Sequence, residues 1–204
     1  TRLRTVTGVQ TCALPIYNFA LSREVLASIV FGLGAALLAY LLARRYPWLC
    51  IPGLLGPLVL SLLVLTAFQL PGLRELRDSA VPLLVALTLG LLPAAVLLRF
   101  ALAGEDRAPI HVAGMVKRPG KLLWHLKTRK EFWLVFMLFC WGYFELTASA
   151  LLAPITFLPA SVRLYNLMHY GQTAVLSAML GVVLVVPVLV WWSARTVYHA
   201  LATR

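Results

Sequence analysis

Five long apolar runs constrain this chain more than any other feature of it. A helix needs about 20 consecutive apolar residues to cross a bilayer core. Val25–Ala43 carries no charge and holds small residues at Gly32, Gly34, Ala35, Ala36 and Ala39. Leu49–Leu70 is also uncharged, with Pro52, Gly53 and Pro57 breaking its first third. Ser79–Leu98 contains Pro82 and Pro93 and stops at Arg99. Phe132–Ala153 holds one ionisable residue, Glu145, and Ala174–Trp192 contains Pro187 and ends in Trp191-Trp192. Helices in lipid tolerate such prolines and glycines better than soluble helices do. The runs are far longer than the alternating strands of about 9–11 residues that build a membrane barrel. The expected fold is therefore all-α: a polytopic membrane protein with five transmembrane helices. Composition agrees, at 61% apolar and 12% charged residues, where globular chains show roughly 45–50% and 25%. A soluble core of this size cannot hide that much apolar surface. An ordinary soluble enzyme, a disordered chain and a disulfide scaffold are all excluded.

The formal charge of +11 does not point to nucleic acid as a partner, because the charges sit at the ends of apolar runs and in one loop. Residues 99–131 carry Arg99, Arg107, Lys117, Arg118, Lys121, Lys127, Arg129 and Lys130, against Glu105, Asp106 and Glu131. Cytoplasmic loops are the ones enriched in Lys and Arg, so this loop is expected inside, together with Arg44-Arg45 and the tail bearing Arg195 and Arg204. Residues 71–78 and 154–173 are expected outside. That assignment also puts the start of the chain outside and leads to the expectation of a preceding span.

Val6–Ile16, VTGVQTCALPI, resembles the translation of a sequencing-library adapter fused to an open reading frame. Residues 1–16 are accordingly set apart as non-native, and residues 17–204 are read as the transmembrane domain. Cys50 and Cys140 remain, with no CxxC spacing and no histidine at ligand distance, and read as small apolar residues.

Three stretches resemble the permease subunits of binding-protein-dependent ABC importers, in particular the ferric-iron group. Asn18–Ala43 is similar to that family's opening core helix, which ends in a cytoplasmic turn like Leu38–Arg44. Ile51–Gly56, IPGLLG, is similar to the Pro-Gly start of its second helix. Glu145–Met179 is similar to its closing segment: a Glu-Leu helix, an outer loop, a short surface helix and a last span. The resemblance implies a type I importer permease core and a place in the bacterial inner membrane. It also implies partners: a cytoplasmic ABC ATPase, an extracytoplasmic substrate-binding protein and a second permease half, fused or separate. The family's cytoplasmic loop carries a Glu-Ala-Ala…Gly motif that docks the ATPase. Here the corresponding loop reads His111-Val112-Ala113-Gly114 and departs from it. A non-transport membrane protein, such as an assembly factor or anchor, stays open as the alternative.

Candidate residues fall into three groups. His111, Ala113 and Gly114, with an amphipathic stretch whose Leu122, Leu123, Trp124 and Leu126 lie together, suit either ATPase coupling or a basic loop on anionic lipid. Glu145 lies about 14 residues, roughly 21 Å, along its run at 1.5 Å per residue, and Thr147 and Ser149 follow. An isolated carboxylate in mid-bilayer costs about 2.5–3.5 kcal/mol on insertion scales. It therefore marks either the translocation pathway or a structural cap between helices. Tyr165, Asn166, His169 and Tyr170 form a polar-aromatic cluster at the outer interface, suited to a gate, a docked binding protein or a plain interfacial anchor. The sequence has no P-loop, no GxSxG, no HExxH and no paired carboxylates, so no catalytic residue, metal site or cofactor is expected.

Overall fold

A computed structural model describes the backbone of residues 3–103, 119–154, 157–171 and 173–203, and the side chains of 21–102, 129–154, 157–171 and 175–197. Every regular element among them is helical: α1 (Leu3–Arg45), short 3₁₀ turns at Pro47–Cys50 and Pro52–Leu55, α2 (Pro57–Ala67), a third 3₁₀ turn at Arg74–Leu76, α3 (Val81–Ala103), α4 (Pro119–Phe144), α5 (Thr147–Leu152), α6 (Ala160–His169) and α7 (Thr173–Thr203). Three helices are long and apolar enough to cross a membrane: Leu21–Arg45, Val81–Leu102 and Val175–Val197. The bent pair Pro47–Leu55 and Pro57–Ala67, which meet at 103°, makes a fourth if it crosses as one span. The segment set apart at the N-terminus continues into α1 as helix from Leu3.

α1 is the central post, packing on both α3 and α4. Ala35, Ala36 and Ala39 are completely buried along it. A Cβ on Gly142 of α4 would lie 3.5 Å from the Cα of Gly32, and one on Gly32 would lie 3.2 Å from the backbone nitrogen of Tyr143. The two helices thus cross backbone against backbone. Lipid tails supply no hydrophobic drive between helices, so close packing at small residues is what holds such a crossing. Leu83, Leu92, Leu138 and Phe139 fill the remaining interior, while Leu41, Leu58, Leu97 and Val188 face outward.

The break expected in the second apolar run has a local cause. Pro52 and Pro57 each open a helical turn, where a missing N–H costs nothing. Between the turns Gly56 takes φ +85°, a region that side chains disfavour. The chain turns there and α2 starts in a new direction. α2 has 11 residues, about 16 Å of helix, and does not cross a bilayer alone.

The expected continuous run 132–153 is divided instead. α4 ends at Phe144, Glu145 and Leu146 are not helical, and α5 begins at Thr147. The carboxylate of Glu145 accepts N–H bonds from Thr147 (3.0 Å) and Ala148 (3.4 Å), which a continuous helix would direct to carbonyls one turn earlier. At the opposite end of the bundle, Arg99 donates from Nη1 to the carbonyl of Ala43 at 2.8 Å. This satisfies one of the carbonyls left without a partner where α1 ends, and places a cation at a helix C-terminus.

Candidate functional site

At the break, the half-buried Glu145 brings polar groups of several elements together. α5 packs on α2 and α3, with Ser149 buried on it and Thr147 half-buried at its start. The hydroxyl of Ser161, at the start of α6, donates to the backbone carbonyl of Glu145 at 3.2 Å. One residue earlier, the backbone N–H of Ala160 donates to the hydroxyl of Ser28 on α1 at 2.8 Å, in full burial. Farther along α6, Arg163 stands 3.8 Å from the carboxylate of Glu24 on α1. The guanidinium of Arg23 sits over the ring of Phe157, 5.3 Å from its centroid. The short helix α6 is therefore pinned to the Arg23–Ser28 stretch of α1 and to the break at once.

The physical logic is compensation. A buried N–H without a partner costs about 1–3 kcal/mol, and Ala160 lies where its own helix offers no acceptor. Ser28 supplies it from 132 residues away. Glu145 turns its carboxylate back on its own chain to cap the N–H groups of Thr147 and Ala148, and Ser149 is buried on the same short helix. Backbone groups freed from the helical ladder are tolerated inside a bilayer only where protein or a water-filled cavity surrounds them. Arg23 and Glu24 lie within the long apolar helix Leu21–Arg45, whereas Glu145 lies in none of the three helices long and apolar enough to cross a membrane.

The aromatic group expected at the outer interface lies on the same short helix. Tyr165 and His169 stack with ring centroids 6.1 Å apart and planes 13° from parallel. His169 meets Tyr170 edge-on at the same separation. The carbonyl of Asn166 accepts the N–H of Tyr170 at 2.9 Å, closing the helix. Tyr165, His169 and Tyr170 are exposed. They project outward while Val162 and Leu167 of the same helix are buried, and Ser161, which bonds Glu145, lies on the same i, i+4, i+8 stripe as Tyr165 and His169.

Of the coupling candidates, His111, Ala113 and Gly114 lie outside the described residues. Leu122, Leu123, Trp124 and Leu126 fall within α4, whose backbone is helical from Pro119, and their side chains lie outside the described set. Ser28, Ser161, Arg163 and Glu24 were not singled out in the sequence. The available signal was charge: Arg163 is the one Lys or Arg of residues 154–173, and Glu24 immediately precedes the first apolar run. Among the described residues, no group of three His, Cys, Asp or Glu side chains is placed to hold a metal ion. Compared with known protein families, with curated proteins and with solved structures, the chain matches none.

Proposed function

We propose that this chain is a membrane-spanning permease subunit of an ABC importer. In this reading it has five spans, forms part of a substrate pathway and takes its energy from a separate ATPase. The observation that carries the reading is the closing segment. The resemblance calls for a Glu-Leu element, a short surface helix and a last span in that order. The chain has a break capped by Glu145, then α5, the short helix α6 and the long α7. The basic loop 99–131 after the third apolar run is the proposed docking site for the ATPase, with ferric iron, delivered by a binding protein, as the proposed substrate. The outer group Tyr165, Asn166, His169 and Tyr170 faces that binding protein. Glu145, Thr147 and Ser149 line the pathway where the span is interrupted. Transport then consists of switching between two packings of these helices, biased by the ATPase cycle through the loop.

The test is reconstitution with an ABC ATPase and a binding protein, sought among the genes adjacent to the one that encodes this chain. Substrate-stimulated ATP hydrolysis and uptake into proteoliposomes are expected. Trp124→Ala together with Leu123→Ala should uncouple the two while leaving insertion intact, because truncating a buried aromatic anchor commonly costs about 2 kcal/mol or more at an interface. Full stimulation in that double variant removes the coupling role of the loop. No uptake and no association with any ATPase leaves the chain as a membrane protein of another kind, an assembly factor or anchor.

A further inference from the structure

Pro187 divides the last helix into two unlike halves. α7 runs unbroken from Thr173 to Thr203 with that proline inside it. Before the proline, Met179 and Val183 are buried. After it, none of the described residues 188–197 is buried, and Val188, Leu189, Trp192 and Val197 are exposed. α7 is the least enclosed of the three long apolar helices, with 17% of its window buried against 44% in each of the others. Its second half meets α4 where Trp191 lies 6.4 Å from Trp133, centroid to centroid.

A proline inside a helix opens one rung of its hydrogen-bond ladder. Pro187 has no N–H, so the carbonyl four residues earlier, that of Val183, loses its helical partner. Val183 is buried, and a buried carbonyl needs a partner from elsewhere. Tyr143 of α4 supplies it: its hydroxyl donates to the carbonyl of Val183 at 3.2 Å, in full burial. The donor is firmly seated. Its ring lies between those of Phe139 and Phe144, 5.6 Å and 4.9 Å away, and its backbone stands where α4 crosses Gly32 of α1. The hydroxyl therefore meets the one carbonyl whose direction changes when α7 bends at its proline.

We propose that α7 is a hinged helix with two positions. Pro187 is the pivot, the half beyond it is the moving arm, and the Tyr143 hydroxyl is the latch that holds the arm in the packing described above. In the latched position the open carbonyl is bonded to Tyr143. In the released position the Val183 peptide tilts away, and water entering the opened ladder takes the place of the hydroxyl. The division of burial at Pro187 sets which half moves: the first half is seated by Met179 and Val183, and the second has no buried residue to hold it. The proposal does not depend on the transport reading.

The test is a distance distribution between two spin labels on the intact chain in nanodiscs, measured by double electron–electron resonance with the native cysteines replaced. One label stands at Leu97 on α3 and the other at Val197 on the arm; a second pair, Leu97 with Leu180, reports the seated half. All three positions are exposed. Tyr143→Phe keeps the ring and removes only the hydroxyl. It should raise the population of a second Leu97–Val197 distance about tenfold and leave the Leu97–Leu180 distance as it is. Pro187→Ala restores an N–H to the Val183 carbonyl and should by itself give one narrow Leu97–Val197 distance. Tyr143→Phe added to Pro187→Ala should then change nothing, a non-additivity that a hydroxyl acting only through general packing would not produce. The proposal is overturned if Tyr143→Phe leaves the Leu97–Val197 distribution unchanged, if it broadens both pairs alike, if it acts equally in the Pro187→Ala background, or if Pro187→Ala alone broadens the distribution.

Discussion

Gly53→Ala tests the closest approach in the bundle. Gly53 lies in the 3₁₀ turn that leads into the bent second run, and it backs directly onto α3. A Cβ there would collide with the carbonyl oxygen of Leu89 and would stand 2.7 Å and 2.8 Å from the Cδ and Cγ of Pro93. None of these atoms is the free end of a flexible side chain. The contact also has a cause in sequence. Pro93 has no N–H, so the carbonyl four residues earlier, that of Leu89, loses its helical partner and is left open. A residue without a side chain is what allows another backbone to come up against that surface.

The added methyl must push the turn away from α3. Overpacking of this kind costs about 1–3 kcal/mol and occasionally more, and contact with backbone on both sides places Gly53→Ala at the upper end. For a chain of this size each kcal/mol moves the melting temperature by about 2–4 °C, so a loss of about 6–12 °C is expected. The measurement is thermal unfolding in detergent, followed by tryptophan fluorescence. Gly90→Ala is the control: its Cβ would lie 3.7 Å from Leu60, an ordinary contact, and alanine is favoured over glycine by about 1 kcal/mol inside a helix. It should melt at or above the parent. Adding Pro93→Ala to Gly53→Ala removes two of the three clashes and should recover only part of the loss, since the Leu89 carbonyl stays in place; such non-additivity is the mark of direct contact. If Gly53→Ala and Gly90→Ala melt together, the close approach does not exist and the packing of the second run on α3 is wrong.

Three further outcomes follow from the ties around the break. Ser28→Ala leaves the buried N–H of Ala160 without its acceptor and should cost about 1–3 kcal/mol, read as faster hydrogen exchange at that amide; unchanged exchange there would remove the tie. Glu145→Gln retains an oxygen that can accept from Thr147 and Ala148 and should fold as the parent does, whereas Glu145→Leu loses the cap and should cost about 1 kcal/mol, measured by thermal unfolding. Equal stability of the Leu variant would show that the cap contributes nothing. In a background lacking the native cysteines, an impermeant maleimide added from outside should label Leu76→Cys and Tyr170→Cys and reach Arg129→Cys only after permeabilisation; the reverse pattern would invert the orientation.

The way the chain breaks its spans shows what apolar patterning can and cannot reveal. In the second run, Pro52 and Pro57 announce an interruption, because neither residue can supply the N–H that a helix interior needs. The 103° bend is not announced, since it depends on the turn at Gly56 and on Gly53 finding the open carbonyl of Leu89. In the fourth run no proline or glycine follows Gly142, hydropathy stays high on both sides of Glu145, and a continuous helix is the natural expectation. The interruption comes from one side chain competing with the backbone for the N–H groups of Thr147 and Ala148, a local event that an averaged pattern does not register. Residues 145, 147 and 149 were therefore legible as a polar group on one segment, but their conformation was not. The ties that pin α6 were less legible still. Ser28 is a single hydroxyl among alanines and branched residues, and nothing along the chain pairs it with an amide 132 residues away. Gly32 and Gly142 let α1 and α4 cross in backbone contact, which brings the Ser28 turn of α1 to the level where α4 stops. In a bilayer, where every lipid-facing side chain is equally content, small residues decide which helix faces meet, and those faces in turn decide which isolated polar groups find each other.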